Sequence, residues 1–158
     1  MRLEITPTKI VPDAITVWNE QGEADVIMDL KNLTFRDNYF DEIFVFHVVD
    51  HLFEDEIKTA MLNWRRCLKV GGRIFICVDD FEHIARGFVG GDITIDQINK
   101  DFSHPVHVTR DNLLKYFTDA GFLEGSVIIW HDSPKDAEGR VLMPKLESEL
   151  ILHSTKHE

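Results

Sequence analysis

The chain has 158 residues, 44% of them hydrophobic, with 28 acidic against 17 basic residues and a formal net charge of -11. That length and apolar content suit one compact domain spanning 1–158 and exclude a disordered chain. The acidic balance repels phosphate backbones and anionic lipid, and no basic patch relieves it, so no nucleic acid and no membrane surface is expected as a partner.

The opening "MRLEITPTKI" lacks an apolar core of signal-peptide length. No stretch reaches the ~20 apolar residues of a membrane span. Cys67 and Cys77 sit in apolar surroundings at no metal-like spacing, which suits buried thiols in a reducing compartment. A soluble, cytoplasmic protein is expected.

Two short apolar runs come first, Leu3 with Ile5 and then Ala14, Ile15 and Val17, separated by Pro7 and Pro12 with no glycine between them. As neighbouring parallel strands they leave too little chain for an ordinary crossover of a dozen or more residues. "ADVIMDL" from Ala24 is a third strand, and "LKNLTFRDNYFDE" reads as turn-rich. "EIFVFHVV" is nearly continuous in apolar residues, as in strands buried on both faces.

The period then changes. In "EDEIKTAMLNWRRCLKVGG", Ile57, Met61, Trp64 and Leu68 recur at helical spacing. Glu54, Asp55 and Glu56 fall in the first turn and Arg65, Arg66 and Lys69 in the last, as the helix dipole favours. Gly71-Gly72 is the expected stop.

"RIFICV" is a buried strand, and "DDFEHIARGFVGGDITIDQINKDFSHP" reads as short helices and loop. "TRDNLLKYFTDAGF" is a helix capped by Thr109, with Leu113, Leu114 and Phe117 on its apolar face and Gly121 at its end. "SVIIW" is a strand, "HDSPKDAEGRVLMPK" a long loop, and "LESELILHSTK" a closing strand. Strands alternating with helices imply an α/β fold with a mostly parallel sheet; the last two strands, with no helix between them, pair antiparallel at one edge.

Four stretches now resemble one family. "ADVIMDLKNLTFRDNYFDEIFVFHVVDHL" is similar to the middle of small class I S-adenosylmethionine-dependent methyltransferases of the type 11 group, where a strand ending in Asp precedes a loop like "L-P-F-x-D-x-S-F-D" and a strand entering "H-V-L-E-H-L". "WRRCLKVGGRIFICVDDF" resembles the family's "W-x-R-V-L-K-P-G-G-x-L-x-I-x-V-P-D-F", and "LLKYFTDAGF" its penultimate helix. The resemblance covers residues 24–125 and, more loosely, both ends. It implies a Rossmann-like sheet of about seven strands with an antiparallel closing strand. No helix fits between the first three strands, so helices are reduced on one face, and either a homodimer or the chain's own loops must cover it.

The resemblance also implies a cofactor pocket of Thr6, Thr8, Trp18, Asp29, Leu30, Phe46 and His47. Thr6 and Thr8 stand where the family keeps glycines, whose missing β-carbons let the backbone approach the cofactor. Pro7 removes an N–H donor. Trp18 stands where an acid would hold the ribose hydroxyls; Glu20 would substitute if the register slips. Asp29, beside Leu30, stands where the family accepts the adenine amino group, and equally suits a strand-end Asp. Phe46 and His47 end the fourth strand at the pocket's edge.

His47 and His51, four apart with Asp50 beside them, have a spacing that could hold a metal on a helix, but no third ligand is evident and no metal is expected. His104 and His107 could serve as acid or base at the substrate side, or be solvated loop residues. Asp79 and Asp80 either face the substrate or cap the next segment. No "N-P-P-Y"-like segment follows the fourth strand, which weighs against methylation of nucleic-acid bases. Two functions stand: S-adenosylmethionine-dependent methyl transfer to a small or glycan-like acceptor with a degenerate cofactor loop, or an inactive pseudoenzyme that binds a protein partner.

Overall fold

A computed structural model describes residues 1–20, 22–141, 146 and 148–158. Seven strands form one sheet: β1 (Arg2–Ile5), β2 (Ala14–Trp18), β3 (Val26–Ile27), β4 (Phe40–Phe46), β5 (Leu68–Asp79), β6 (Ile128–Trp130) and β7 (Glu149–Thr155), in the order β3-β2-β1-β4-β5-β7-β6. The first five run parallel, while β7 pairs antiparallel with both β5 and β6 at the far edge. This is a Rossmann-like α/β sheet. β1 and β2 pair in register from Arg2↔Ala14 to Ile5↔Val17, so the eight-residue segment 6–13 alone makes the parallel crossover. Asp13 takes up its last bend at φ 60°.

One face is packed by α1 (Glu54–Cys67) and α4 (Arg110–Asp119). Leu3, Ile5, Ile43, Val45, Ile74 and Ile76 point toward this side and meet Ile57, Met61, Trp64, Leu113 and Phe117 in the main core. The Glu56 carboxylate reaches back to the Phe53 N–H at the start of α1 (3.0 Å), and the Thr109 hydroxyl caps α4 through the Asn112 N–H. The other two helices, α2 (Phe81–Gly90) and α3 (Ile95–Asp101), fill the segment between β5 and α4, and Asp80 caps α2 by accepting from the Glu82 N–H (3.0 Å).

The second face carries a smaller cluster of Val11, Ala14, Phe44, Phe46, Phe75, Cys77 and Ile151, with Trp130 against it. Among the described residues no helix contributes to it. Phe44 and Phe75 stack at 5.1 Å and are fully buried within the single chain. Exposed apolar residues remain at the rim, Ile10 and Ile128 among them.

Two boundaries differ from the sequence expectation. α1 stops at Cys67, not at Gly71-Gly72, because Leu68 turns extended (φ -77°, ψ 136°) and pairs with Phe40, where its side chain is fully buried. Lys69 therefore lies in β5 and pairs with Asp41 (2.8 Å). The glycines mark a bulge where the β4–β5 register shifts. Gly71 has φ 80°, and a β-carbon on Gly72 would stand 2.9 Å from the carbonyl oxygens of Asp41 and Lys69. The closing strand begins at Glu149, with Leu146 outside it; residues 142–145 of the expected loop, and residue 147, lie outside the described residues. Among the described residues no helix is long and apolar enough to cross a membrane.

Candidate functional site

The parallel strands β1, β2, β4 and β5 end at the same edge of the sheet, and open α/β sheets bind ligands beyond such ends. A cavity of about 480 Å3 lies there. Thr6, Pro7, Thr8, Trp18, Phe46 and His47 line it, with Glu149 of β7 on the far side. Its volume falls in the range of small-molecule sites, roughly 300–1,000 Å3.

The loop after β1 is held from below. Glu4 is fully buried in β1, and its carboxylate accepts from the N–H groups of Ile10 (3.0 Å) and Val11 (2.7 Å) and from the Thr16 hydroxyl (2.6 Å). Thr6 extends the strand by donating its N–H to the Val17 carbonyl (3.2 Å), and its side chain is almost fully buried. Pro7 and Thr8 are exposed on the cavity wall. Trp18 is half-buried at the end of β2.

His47 leaves β4 with φ 49°, a left-handed conformation rare for a residue with a β-carbon. That turn swings its ring among three carboxylates. Nε2 lies 2.8 Å from Glu149 Oε1 and 3.9 Å from Cys77 Sγ, while Nδ1 lies 3.8 Å from both Asp50 Oδ2 and Asp79 Oδ1. Burial opposes a charge on His47, yet its contacts with Asp50, Cys77 and Glu149 prevail and push its pKa up to about 12. Burial raises Asp50 and Glu149, but the facing His47 holds both below the usual carboxylate range. Burial pushes the Cys77 thiol up, so it is not an activated nucleophile.

Asp29 and Leu30 lie elsewhere. The Trp64 indole N–H, buried in the core, donates to the Leu30 carbonyl (2.7 Å), and Leu30 itself is buried. Asp29 turns outward, accepts from the Lys31 N–H (2.9 Å) and lines a separate open groove of about 660 Å3 with Glu56, Asn63 and Arg66. That groove has the larger volume and is lined mainly by α1 residues. His104 pairs with Asp79 (3.2 Å), and His107 stacks on Phe81 (4.4 Å); neither lines the strand-end cavity. Glu4 and Glu149 escaped the sequence reading, although an acid inside each apolar run, "RLEI" and "ELIL", was a visible signal.

A seven-stranded, mostly parallel sheet with an antiparallel closing strand, carrying a cavity beyond its strand ends, defines a class I methyltransferase-like protein. Residues 2–76 match the Methyltransferase domain family. No curated protein matches the chain. Several solved structures share the fold. A SAM-dependent methyltransferase from Thermotoga maritima is 16% identical, with 89% of this chain and 72% of that one covered and a TM-score of 0.63. The YcgJ protein of Bacillus subtilis is 14% identical over 99% of this chain and 92% of its own, also at 0.63. A Haloferax volcanii chain solved in complex with the Trm112 methyltransferase activator is 13% identical over 99% and 82%, at 0.63. The match over residues 2–76, just under half of the chain, and the shared fold make the chain similar to class I S-adenosylmethionine-dependent methyltransferases.

Proposed function

We propose that the strand-end cavity is the cofactor pocket of an S-adenosylmethionine-dependent methyltransferase acting on a small or glycan-like acceptor, and that its grip on the cofactor is weak. One observation carries this reading: Thr6, Thr8, Trp18, Phe46 and His47, from three separate strands, line a single cavity of small-molecule size. The residues fit the cofactor's volume better than its polar groups. Thr6 and Thr8 carry β-carbons where close backbone approach needs none, and the Trp18 indole has no acceptor for ribose hydroxyls. A hydrogen bond to a charged group contributes roughly 1.5–3 kcal/mol. Its loss weakens binding by about one to two orders of magnitude.

The same departures favour a second reading, a protein of this fold that has lost cofactor binding and serves as a partner-binding subunit. The Haloferax chain, found with an activator protein, makes a protein partner reasonable for this fold. Calorimetry with S-adenosylmethionine and S-adenosylhomocysteine separates the two. Submillimolar binding at the cavity supports the first reading with a weakened grip. Low-micromolar binding means that the loop grips the cofactor by other contacts. No binding of either compound leaves the second reading.

A further inference from the structure

We propose that Asp50, Asp79, His104 and His47 form a site for one first-row divalent metal ion at the wall of the strand-end cavity. The four residues come from three places. Asp50 lies in the short 3-10 turn Val49–His51 that follows β4, Asp79 ends β5, and His104 follows α3. The sequence showed His47 and His51 with Asp50 beside them and no third ligand; the fold brings Asp79 and His104 next to Asp50.

Asp50 is the decisive residue. Its side chain is 2% exposed, and among the described residues neither carboxylate oxygen has a hydrogen-bond partner. A buried carboxylate is costly unless a charge or a metal compensates it; in metal-free protein the facing His47 supplies that charge, and a bound ion would take its place. The imidazoles that face it are close but not bonded: Asp50 Oδ2 lies 3.7 Å from His104 Nε2 and 3.8 Å from His47 Nδ1. Asp79 offers its two oxygens separately, Oδ2 at 3.2 Å from His104 Nε2 and Oδ1 at 3.8 Å from His47 Nδ1. Three of these four separations are too long for hydrogen bonds. They approach what one ion requires: one ligand atom each of His47, Asp50 and Asp79 lie within 4.8 Å of one another, and His104 joins Asp50 from the other side. Ligand bonds of roughly 2.0–2.2 Å in a tetrahedral site put neighbouring ligand atoms about 3.3–3.6 Å apart.

One further observation agrees. A metal-bound imidazole usually has its other ring nitrogen fixed by a carboxylate, and Glu149 Oε1 holds His47 Nε2 at 2.8 Å while Nδ1 faces Asp50 and Asp79. Two carboxylates would balance a dication in this pocket. Two imidazoles favour zinc, cobalt or nickel over magnesium or calcium, which prefer oxygen ligands. His51 stands within 4.8 Å of the Asp50 and His104 ligand atoms and also lines the cavity, so the ion would adjoin it.

The test uses untagged full-length protein stripped with a chelator. Zinc is titrated by calorimetry and cobalt by its visible absorption. The expected result is one ion per chain and an intense cobalt spectrum of low coordination number. Asp50→Asn and His104→Ala should each weaken zinc by more than about tenfold, and Glu149→Gln by about tenfold. His83→Ala, away from the site, should change nothing. Circular dichroism checks that each variant is folded. Should a variant unfold, the wild-type melting temperature decides: zinc must raise it, and magnesium at the same concentration must not. Sub-stoichiometric zinc with only the aqueous cobalt spectrum would overturn the proposal and leave a bound water. Retention in His104→Ala with loss in Cys77→Ser would overturn it too, by moving the ion to the other nitrogen of His47.

Discussion

Glu149 Oε1 lies 2.8 Å from His47 Nε2, so the start of the antiparallel strand β7 is tied to the end of the parallel strand β4 across the mouth of the cavity. The Glu149 side chain is only 10% exposed, so water screens this pair weakly. In metal-free protein, Glu149→Gln should lower stability by about 2 kcal/mol, the usual scale of a hydrogen bond between charged groups. Urea denaturation would measure it. An unchanged midpoint would mean that Asp50 and Asp79 alone hold the His47 ring.

His153 offers a pH test on the opposite face. Burial, and then the Arg73 guanidinium, lower its pKa to about 4. It is therefore neutral at pH 7, and its Nδ1 accepts from the Trp130 indole N–H (2.7 Å). The unfolded chain takes up this proton near pH 6.5. Between pH 6.5 and 4 the unfolded state thus holds more protons at this position, and stability falls as pH falls. The contribution is present above pH 6.5 and is lost through pH 4; its full size is on the order of 3 kcal/mol. In melting curves across this range, His153→Asn should show a shallower decline than wild type. Parallel curves would place the acid sensitivity elsewhere.

Glu4 should be the most sensitive acidic position for the loop. Its carboxylate binds two backbone N–H groups and the Thr16 hydroxyl with no exposure to water. Glu4→Gln leaves one acceptor oxygen for three donors and should cost about 2 kcal/mol. Glu4→Ala should cost at least about 3 kcal/mol, since the buried donors lose their partner altogether. Limited proteolysis should then cut within residues 6–13 sooner than in wild type. Equal cleavage rates would show that Pro7 and Pro12 hold the loop without it.

Much of the fold was legible because the signals were local. Alternation in "RLEI" and "AITVW", the buried run "EIFVF", and helical spacing at Ile57, Met61 and Trp64 each report their own element. The errors arose where a distant partner decides. Gly71-Gly72 looks like a helix stop until Phe40 draws Leu68 into the sheet. Asp29 follows β3 yet lines the groove along α1 and not the strand-end cavity, a placement that depends on α1 and on the Trp64 indole holding the Leu30 carbonyl. The acidic environment of His47 comes from Asp79 and Glu149, 32 and 102 positions further on (79-47, 149-47), and no local pattern announces it. Thr6, Thr8, Trp18, Phe46 and His47 were found together because each ends or follows a strand, and strand ends of a parallel sheet gather at one edge.

Those residues also allow the cofactor reading to be tested by gain of binding. Trp18→Asp restores an acid at the end of β2, and Thr6→Gly with Thr8→Gly removes two β-carbons from the loop after β1. Each glycine costs stability, roughly 0.5–1 kcal/mol in regular backbone, and Thr6 lies in an extension of β1 through its bond to the Val17 carbonyl. The triple variant should therefore melt lower than wild type. It should nevertheless bind S-adenosylmethionine at least about tenfold more tightly, since a single bond to a carboxylate is worth that much. Thermal shift and calorimetry on the same sample keep the two effects apart. A folded variant with no gain would show that the Thr6–Thr8 loop does not face the cofactor, and would move the weight of the family resemblance to the partner-binding reading.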